Sequence, residues 1–137
     1  MDGATYSITW RLHANQSPLT RAERDEVVSA LQFFDGQRYA LHAYVVMDDH
    51  VHLIVTPDEG WRLDQILHSW KSFTAQKWMR RKVRSGPVWQ DESYDGIIRD
   101  ERELVRAAEY MLDNPFHRWA DIDSYPWLGM GSAAAEE

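Results

Sequence analysis

Two histidines stand one residue apart in MDDHVHLIVTP, residues 47–57. In a β-strand, side chains two residues apart share a face. His50 and His52 would therefore project together, with Val51 and Leu53 on the opposite side. Their backbones would lie about 6–7 Å apart along the strand, a spacing that suits two ligands of one metal ion. Imidazole accepts several transition metals, and added oxygen donors move the preference toward Mn²⁺ or Mg²⁺. The same pair also fits two histidines satisfied by ordinary hydrogen bonds. A cupin site would need a carboxylate and a third histidine on later strands. Glu59 instead sits in the turn PDEGW, and His68 and His117 fall in or near helical segments. The paired H-x-[ST] motifs of two-histidine phosphoesterases are absent.

A second group lies near the C-terminus, in EYMLDNP. Tyr110 and Asn114 are four residues apart, hence on one face of a helix. Taken alone, the tyrosine reads as an aromatic core residue and Asn114–Pro115 as a helix stop. Together they also supply a nucleophile and an amide oxygen. If that face abuts the strand carrying His50 and His52, one ion has His, His and Asn ligands and open positions for substrate.

The elements that must position these groups can be read from periodicity. Residues 6–13 alternate as a strand. A helix follows, with Thr20 as N-cap and Glu23 completing a capping box. Val27, Ala30, Leu31 and Phe34 form its apolar stripe. Residues 38–47 and 50–56 read as two strands separated only by Asp48–Asp49, a hairpin. A long helix is expected over 63–83, broken by Ser85–Gly86–Pro87. Residues 88–98 are ambiguous between loop and short strand. A last helix begins near residue 99 and is closed by Asn114 and Pro115. Residues 116–137 read as a less regular tail with a frayed end. The order β-α-β-β-α-(β)-α describes one α+β domain, residues 1–137, with a mainly antiparallel sheet.

Composition narrows the function classes. With no cysteine among 137 residues, disulfides, thiolate metal sites and cysteine nucleophiles are excluded. No apolar run is long enough for a membrane span and no export signal is present, so a soluble cytoplasmic protein without a membrane partner is expected. The net charge of −7 argues against a polyanionic partner. Its distribution argues less strongly, because residues 65–90 contain no acid but do contain Lys71, Lys77, Arg80, Arg81, Lys82 and Arg84. That stretch is either a solvated helix face or a local polyanion contact. Asp48, Asp49, Asp58 and Glu59, near the histidines, read as solvated turn residues, with Asp48 alone sharing the face of His50.

Three blocks in order carry a family resemblance. MDDHVHLIVTP resembles the M-P-[ND]-H-V-H-L block of the HUH (histidine, hydrophobic, histidine) single-tyrosine transposases of the IS200 type. SWKSFTA, residues 69–75, resembles their W-K-S-[FY] helix segment, and VWQDESYDGIIRDERELVRAAEYMLDNP resembles their W-Q…I-R…Y-[IM]-x-x-N-P tail. The similarity is greatest to the REP-associated tyrosine transposase branch. Asp48 departs from the pattern where relatives carry proline, as does the stretch FHRWADIDSYPW.

The resemblance implies a ferredoxin-like or RRM-like sandwich with helices packed on an antiparallel sheet. It implies cleavage and rejoining of single-stranded or hairpin DNA through a covalent 5′-phosphotyrosine on Tyr110. A divalent ion, Mg²⁺ or Mn²⁺, would be held by His50, His52 and Asn114. Lys71 in SWKSF, with Lys77, Arg80, Arg81 and Arg84, would contact the DNA backbone. Relatives imply either a monomer or a homodimer. A catalytically silent DNA-binding module of the same fold, or a small-molecule metalloenzyme using the two histidines, remains open at this point.

Overall fold

The computed structural model describes residues 3–135. Five strands form one antiparallel sheet, β1 (Thr5–Leu12), β2 (Tyr39–Val46), β3 (His50–Pro57), β4 (Trp89–Ile98) and β5 (Leu128–Met130), in the order β4-β1-β3-β2-β5. The helices are α1 (Arg21–Phe33), α2 (Leu63–Arg80), α3 (Glu101–Arg118) and a single turn α4 (Ser132–Ala135). The inner order β4-β1-β3-β2, with helical crossovers β1-α1-β2 and β3-α2-β4, is that of a ferredoxin-like sandwich.

Strand register divides the sheet into two faces, because paired residues project to the same side. Ile8 pairs with Leu53 and Trp10 with Val51. These residues face α1 and α2 and are buried. The layer between is largely aromatic. Trp10 stacks on Trp70 at 5.6 Å between ring centroids, and Trp89 meets Trp10 and Trp78 edge-on or tilted. Each polar tip that lies inside needs a partner. Trp70 Nε1 donates to Tyr39 Oη at 3.0 Å, and Trp89 Nε1 donates to Thr74 Oγ1 at 2.9 Å. Four of the seven tryptophans are thereby committed to the core, not to stacking nucleobases.

The opposite face carries Thr9 paired with His52, Arg11 paired with His50, and Ser7 paired with Ile54. Helix α3 lies across it, against β2, β3 and β4. Met111 and Pro115 are its buried contacts.

The capping box of α1 forms as expected, with Thr20 Oγ1 accepting from Glu23 N and Glu23 Oε1 accepting from Thr20 N at 2.9 Å. The β2–β3 hairpin also forms, closed by Met47 N donating to His50 O at 2.8 Å. Four elements differ from the sequence expectation. Residues 88–98, ambiguous by composition, contain the ten-residue edge strand β4, with mostly exposed side chains; pairing with β1 supplies what alternation did not. Helix α2 stops at Arg80, before Ser85–Gly86–Pro87, because Lys82 adopts a left-handed φ of 61° and Val83 N turns back to Trp78 O at 3.0 Å.

Helix α3 does not close at Asn114–Pro115 but runs on to Arg118. Proline disfavours helix in the preceding residue and removes one helical hydrogen bond. Here the burial of Pro115 against the sheet holds the helix together through that step, and Trp119 N bonds Pro115 O at 2.9 Å. Finally, the segment after residue 118 is not merely a tail. Trp119, Tyr125 and Trp127 form a stacked and edge-on series, Tyr125 Oη donates to Val46 O at 2.6 Å, and β5 pairs with β2. Gly131 seals this join. A Cβ there would meet the Leu41 backbone oxygen and lie 2.6 Å from Leu41 Cβ.

Candidate active site

His50 is the first residue of β3, directly after the hairpin turn. The turn is pinned from outside the hairpin. Asp48 O accepts from Leu19 N at 2.7 Å, and Asp49 O accepts from Leu12 N at 2.8 Å. With the backbone held, Asp49 Oδ1 meets His50 Nδ1 at 2.8 Å. Asp49 thus accepts a hydrogen bond from Nδ1–H, and Nε2 of the neutral ring is left with its lone pair. That nitrogen lies 3.4 Å from Asn114 Nδ2 on α3. The helix bearing Asn114 does abut the strand bearing the histidines, and the first and third expected ligands meet.

His52, on the same face of β3, places Nε2 2.9 Å from Ser7 Oγ. Burial, reinforced by the positive charge of a protonated His50, pushes its pKa down to about 4. The ring is therefore neutral at physiological pH, as a metal-ligating imidazole must be. This has a consequence for stability. The unfolded chain protonates His52 near pH 6.5, the ordinary value for the side chain, while the folded chain does not, so stability is full above that pH and falls as pH drops toward about 4. Chemical denaturation of the metal-free protein at pH 7, 6 and 5 is expected to show this decline, and His52→Gln is expected to flatten it. An unchanged slope in the variant would mean that His52 is freely protonated in the folded state.

Asp49 is the residue that sequence reasoning missed. Burial pushes its carboxyl up, but the His50 hydrogen bond and charge, with Arg118 and Arg11, outweigh this and hold it below the usual carboxylate range. The strand-alternation rule had singled out Asp48 instead. Asp48 is turned to Arg118, whose guanidinium lies 2.9 Å from its carboxylate and 3.4 Å from that of Asp49. The extra turn of α3 beyond Pro115 is what brings Arg118 there. The only signal in the sequence was an acid immediately before the first histidine.

Tyr110 lies one turn before Asn114 on α3, about 6 Å along the helix axis. Its side chain is 73% exposed, which leaves the phenol open to a strand arriving from solvent. His50 and Asn114 fit neighbouring ligands of a divalent ion by chemistry and spacing, and His52 fits by chemistry. Neighbouring ligands of an octahedral ion with bonds of about 2.1 Å lie roughly 3 Å apart, close to the observed His50–Asn114 separation, and an amide offers either an oxygen or a nitrogen to that point. No three His, Cys, Asp or Glu side chains converge among the described residues, so the amide would have to complete the set.

The expected DNA contacts are placed differently. Helix α2 lies on the Trp10 face, across the sheet from the histidines. Lys71 Nζ donates to Gln90 O at 2.6 Å, and Lys77 and Arg81 each lie 2.8 Å from Glu26 Oε2; Arg80 is exposed. Arg84 requires a correction. It is buried, chelates Glu23 at 2.6 and 2.7 Å, and gives its other donors to Gln16 Oε1, Ser17 O and Pro18 O. A guanidinium so occupied has no donor left for a phosphate.

An antiparallel α/β sandwich with an H-x-H strand set beside a tyrosine-bearing helix defines the class, and comparison with known proteins assigns the family. The model of the family described as transposase, IS200-like, matches residues 1–111, and the chain belongs to that family. Among solved structures it is similar to a REP-associated tyrosine transposase bound to a REP hairpin, with a TM-score of 0.76 and 16% identity, over 93% of this chain and 77% of that one. It is also similar to a candidate transposase from Deinococcus radiodurans, with a TM-score of 0.59 and 18% identity, over 77% of this chain and 86% of the other. No curated protein matches significantly. No helix among the described residues is long and apolar enough to cross a membrane.

Proposed function

We propose that this protein is a metal-dependent single-stranded DNA endonuclease and strand transferase that acts through Tyr110. The observation that carries this reading is the approach of His50 Nε2 to the Asn114 amide at 3.4 Å, on the helix that presents Tyr110 one turn earlier. The hairpin held by the similar REP-associated transposase supports hairpin DNA as the substrate class.

In the reaction, Tyr110 Oη attacks the scissile phosphorus. The P–O3′ bond breaks as the P–Oη bond forms, and the phenol proton is transferred in net to the departing 3′ oxygen. The phosphodiester energy stays in the 5′-phosphotyrosine link, so a second 3′-OH can reverse the step and join strands without ATP. A divalent ion, Mg²⁺ or Mn²⁺, held by His50, His52 and Asn114 would act as Lewis acid on the phosphate oxygens. The chain itself orients those ligands. Asp49 fixes the ring of His50, Ser7 that of His52, and the sheet face keeps His52 neutral. The exposed cations of α2 lie on the other layer, so their share of DNA contact is with flanking segments and not the scissile phosphate.

The test is formation of an SDS-resistant protein–DNA adduct with pooled single-stranded hairpin oligonucleotides in Mn²⁺, and its loss in chelator. Binding without any adduct would instead identify a silent DNA-binding module of the same fold. Asp49→Ala offers a second check. Outer-shell partners of metal-bound histidines contribute roughly 10–100-fold in affinity, and titration calorimetry with Mn²⁺ should show a loss of that size. An unchanged Mn²⁺ affinity would remove Asp49 from the site.

A further inference from the structure

Beside the histidine site, at the end of the sheet where β1 passes into the following loop, lies a cleft of about 210 Å³. Arg11, His13, Gln16, Gln90 and Asp49 supply its polar lining. It is continuous with the active site through Asp49, which also orients His50. Arg11 is the cross-strand partner of His50, so its side chain starts on the catalytic face from a backbone position adjacent to the first ligand. Its charge acts on Asp49 across the cleft, but no described side chain takes a hydrogen bond from its guanidinium, and the residue is exposed. This separates it from most cations near the site or on α2, where Arg80 alone is likewise exposed without a described partner but lies on the other face of the sheet. Arg118 is paired with Asp48 and Asp49, Arg84 is saturated, and Lys77 and Arg81 share Glu26.

The cleft has further unspent polar groups. Gln90 Nε2 donates to Leu12 O at 3.2 Å, which leaves its Oε1, and His13 Nδ1 accepts from Asn15 N at 3.2 Å, which leaves its Nε2. A planar fork of free donors next to two neutral hydrogen-bonding groups matches a nucleotide, with phosphate on the guanidinium and base edge toward Gln90 and His13.

We infer that this cleft holds the nucleotide next to the scissile phosphate, with Arg11 bound to its phosphate. The inference rests on the proposed strand-cleaving function and gives it a strand-binding residue on the catalytic face, where α2 cannot reach. It also reconciles a chain of net charge −7 with a polyanionic substrate, since an exposed guanidinium with no hydrogen-bonded partner is placed where the strand must pass.

The test uses a fluorescein-labelled hairpin oligonucleotide with a ten-thymidine single-stranded tail, titrated in chelator from 50 to 200 mM NaCl. Arg11→Gln is expected to weaken binding about tenfold, as for loss of a charge-assisted hydrogen-bonded contact. Its log K against log salt slope should become shallower by about 0.7, the contribution of one single-strand phosphate. Arg11→Lys should keep the wild-type slope, thermal stability should stay unchanged in both variants, and any change in Mn²⁺ affinity should be much smaller than the change in DNA binding. Equal affinity and slope for Arg11→Gln and wild type would overturn the inference, as would a loss accompanied by an equal loss of Mn²⁺ binding. If the wild type still forms its tyrosine adduct in that case, only the role of Arg11 fails. A wild type that neither binds this probe nor forms an adduct would overturn the strand-cleaving reading together with it.

Discussion

Tyr110→Phe is expected to abolish the covalent DNA adduct, a loss of at least about a thousandfold by the standard of other removed nucleophiles, while leaving folding and Mn²⁺ binding intact. The phenylalanine lacks the only atom that forms the new bond. Because the side chain is largely exposed, its hydroxyl contributes little to stability, and surface changes of this kind stay within about 0.5 kcal/mol. Asn114 and the two histidines are untouched, so calorimetry with Mn²⁺ and the far-ultraviolet spectrum should match wild type. This combination separates a lost nucleophile from a damaged site. The instructive failure is a surviving metal-dependent adduct. Tyr94 is the group that would then be implicated, being 62% exposed and paired through Thr9 to the face of His52. Mass spectrometry of the tryptic peptide carrying the nucleotide decides between Tyr94 and Tyr110.

The second large effect lies at the far side of the molecule. Arg84→Met should destabilise the fold by about 3–5 kcal/mol, because it leaves the buried carboxylate of Glu23 without its partner. For a chain of this size the melting temperature would fall by roughly 10 °C or more. Arg84 ties the loop after α2 to Gln16, Ser17 and Pro18, and Glu23 is also the reciprocal half of the α1 capping box, so one pair fastens three segments.

Burial pushes the Glu23 carboxyl up, but hydrogen bonds and charge from Arg84, with the Thr20 N–H, outweigh it and hold the pKa below the usual range. A depressed carboxylate contributes stability above its unfolded value near 4.5, and this is lost as pH falls through the lower folded value. Arg84→Met should therefore lose most of its deficit relative to wild type in strong acid. The double variant Glu23→Gln/Arg84→Met, which removes both charges, should recover part of the loss at pH 7. A single variant as stable as wild type at neutral pH would show that Arg84 is dispensable and reopen it as a surface cation.

Much of the candidate site was legible in the sequence, and for a physical reason. Strand alternation puts His50 and His52 on one face whatever the tertiary fold, and helical period puts Tyr110 and Asn114 on another. Both depend only on backbone geometry over a few residues. The capping box at Thr20–Glu23 and the hairpin at Asp48–Asp49 are equally local, and both formed. Three ordered motif blocks named the family that residues 1–111 match.

What the tertiary structure decided is what depends on distant neighbours. Strand β4 has little alternation and exists because β1 offers an edge to pair with. Helix α3 passes Pro115 because the sheet buries that ring, and this single added turn carries Arg118 to the hairpin. The basic run over residues 71–84 looked like one phosphate-binding face. In the fold Lys71, Lys77, Arg81 and Arg84 meet the backbone of β4, Glu26 and Glu23, contributed by segments up to 61 residues away, while Arg80 and Lys82 stay exposed. Charge in a sequence says which ions are present. Which of them keep free donors, Arg11 and not Arg84, is set by the packing of elements that local rules do not bring together.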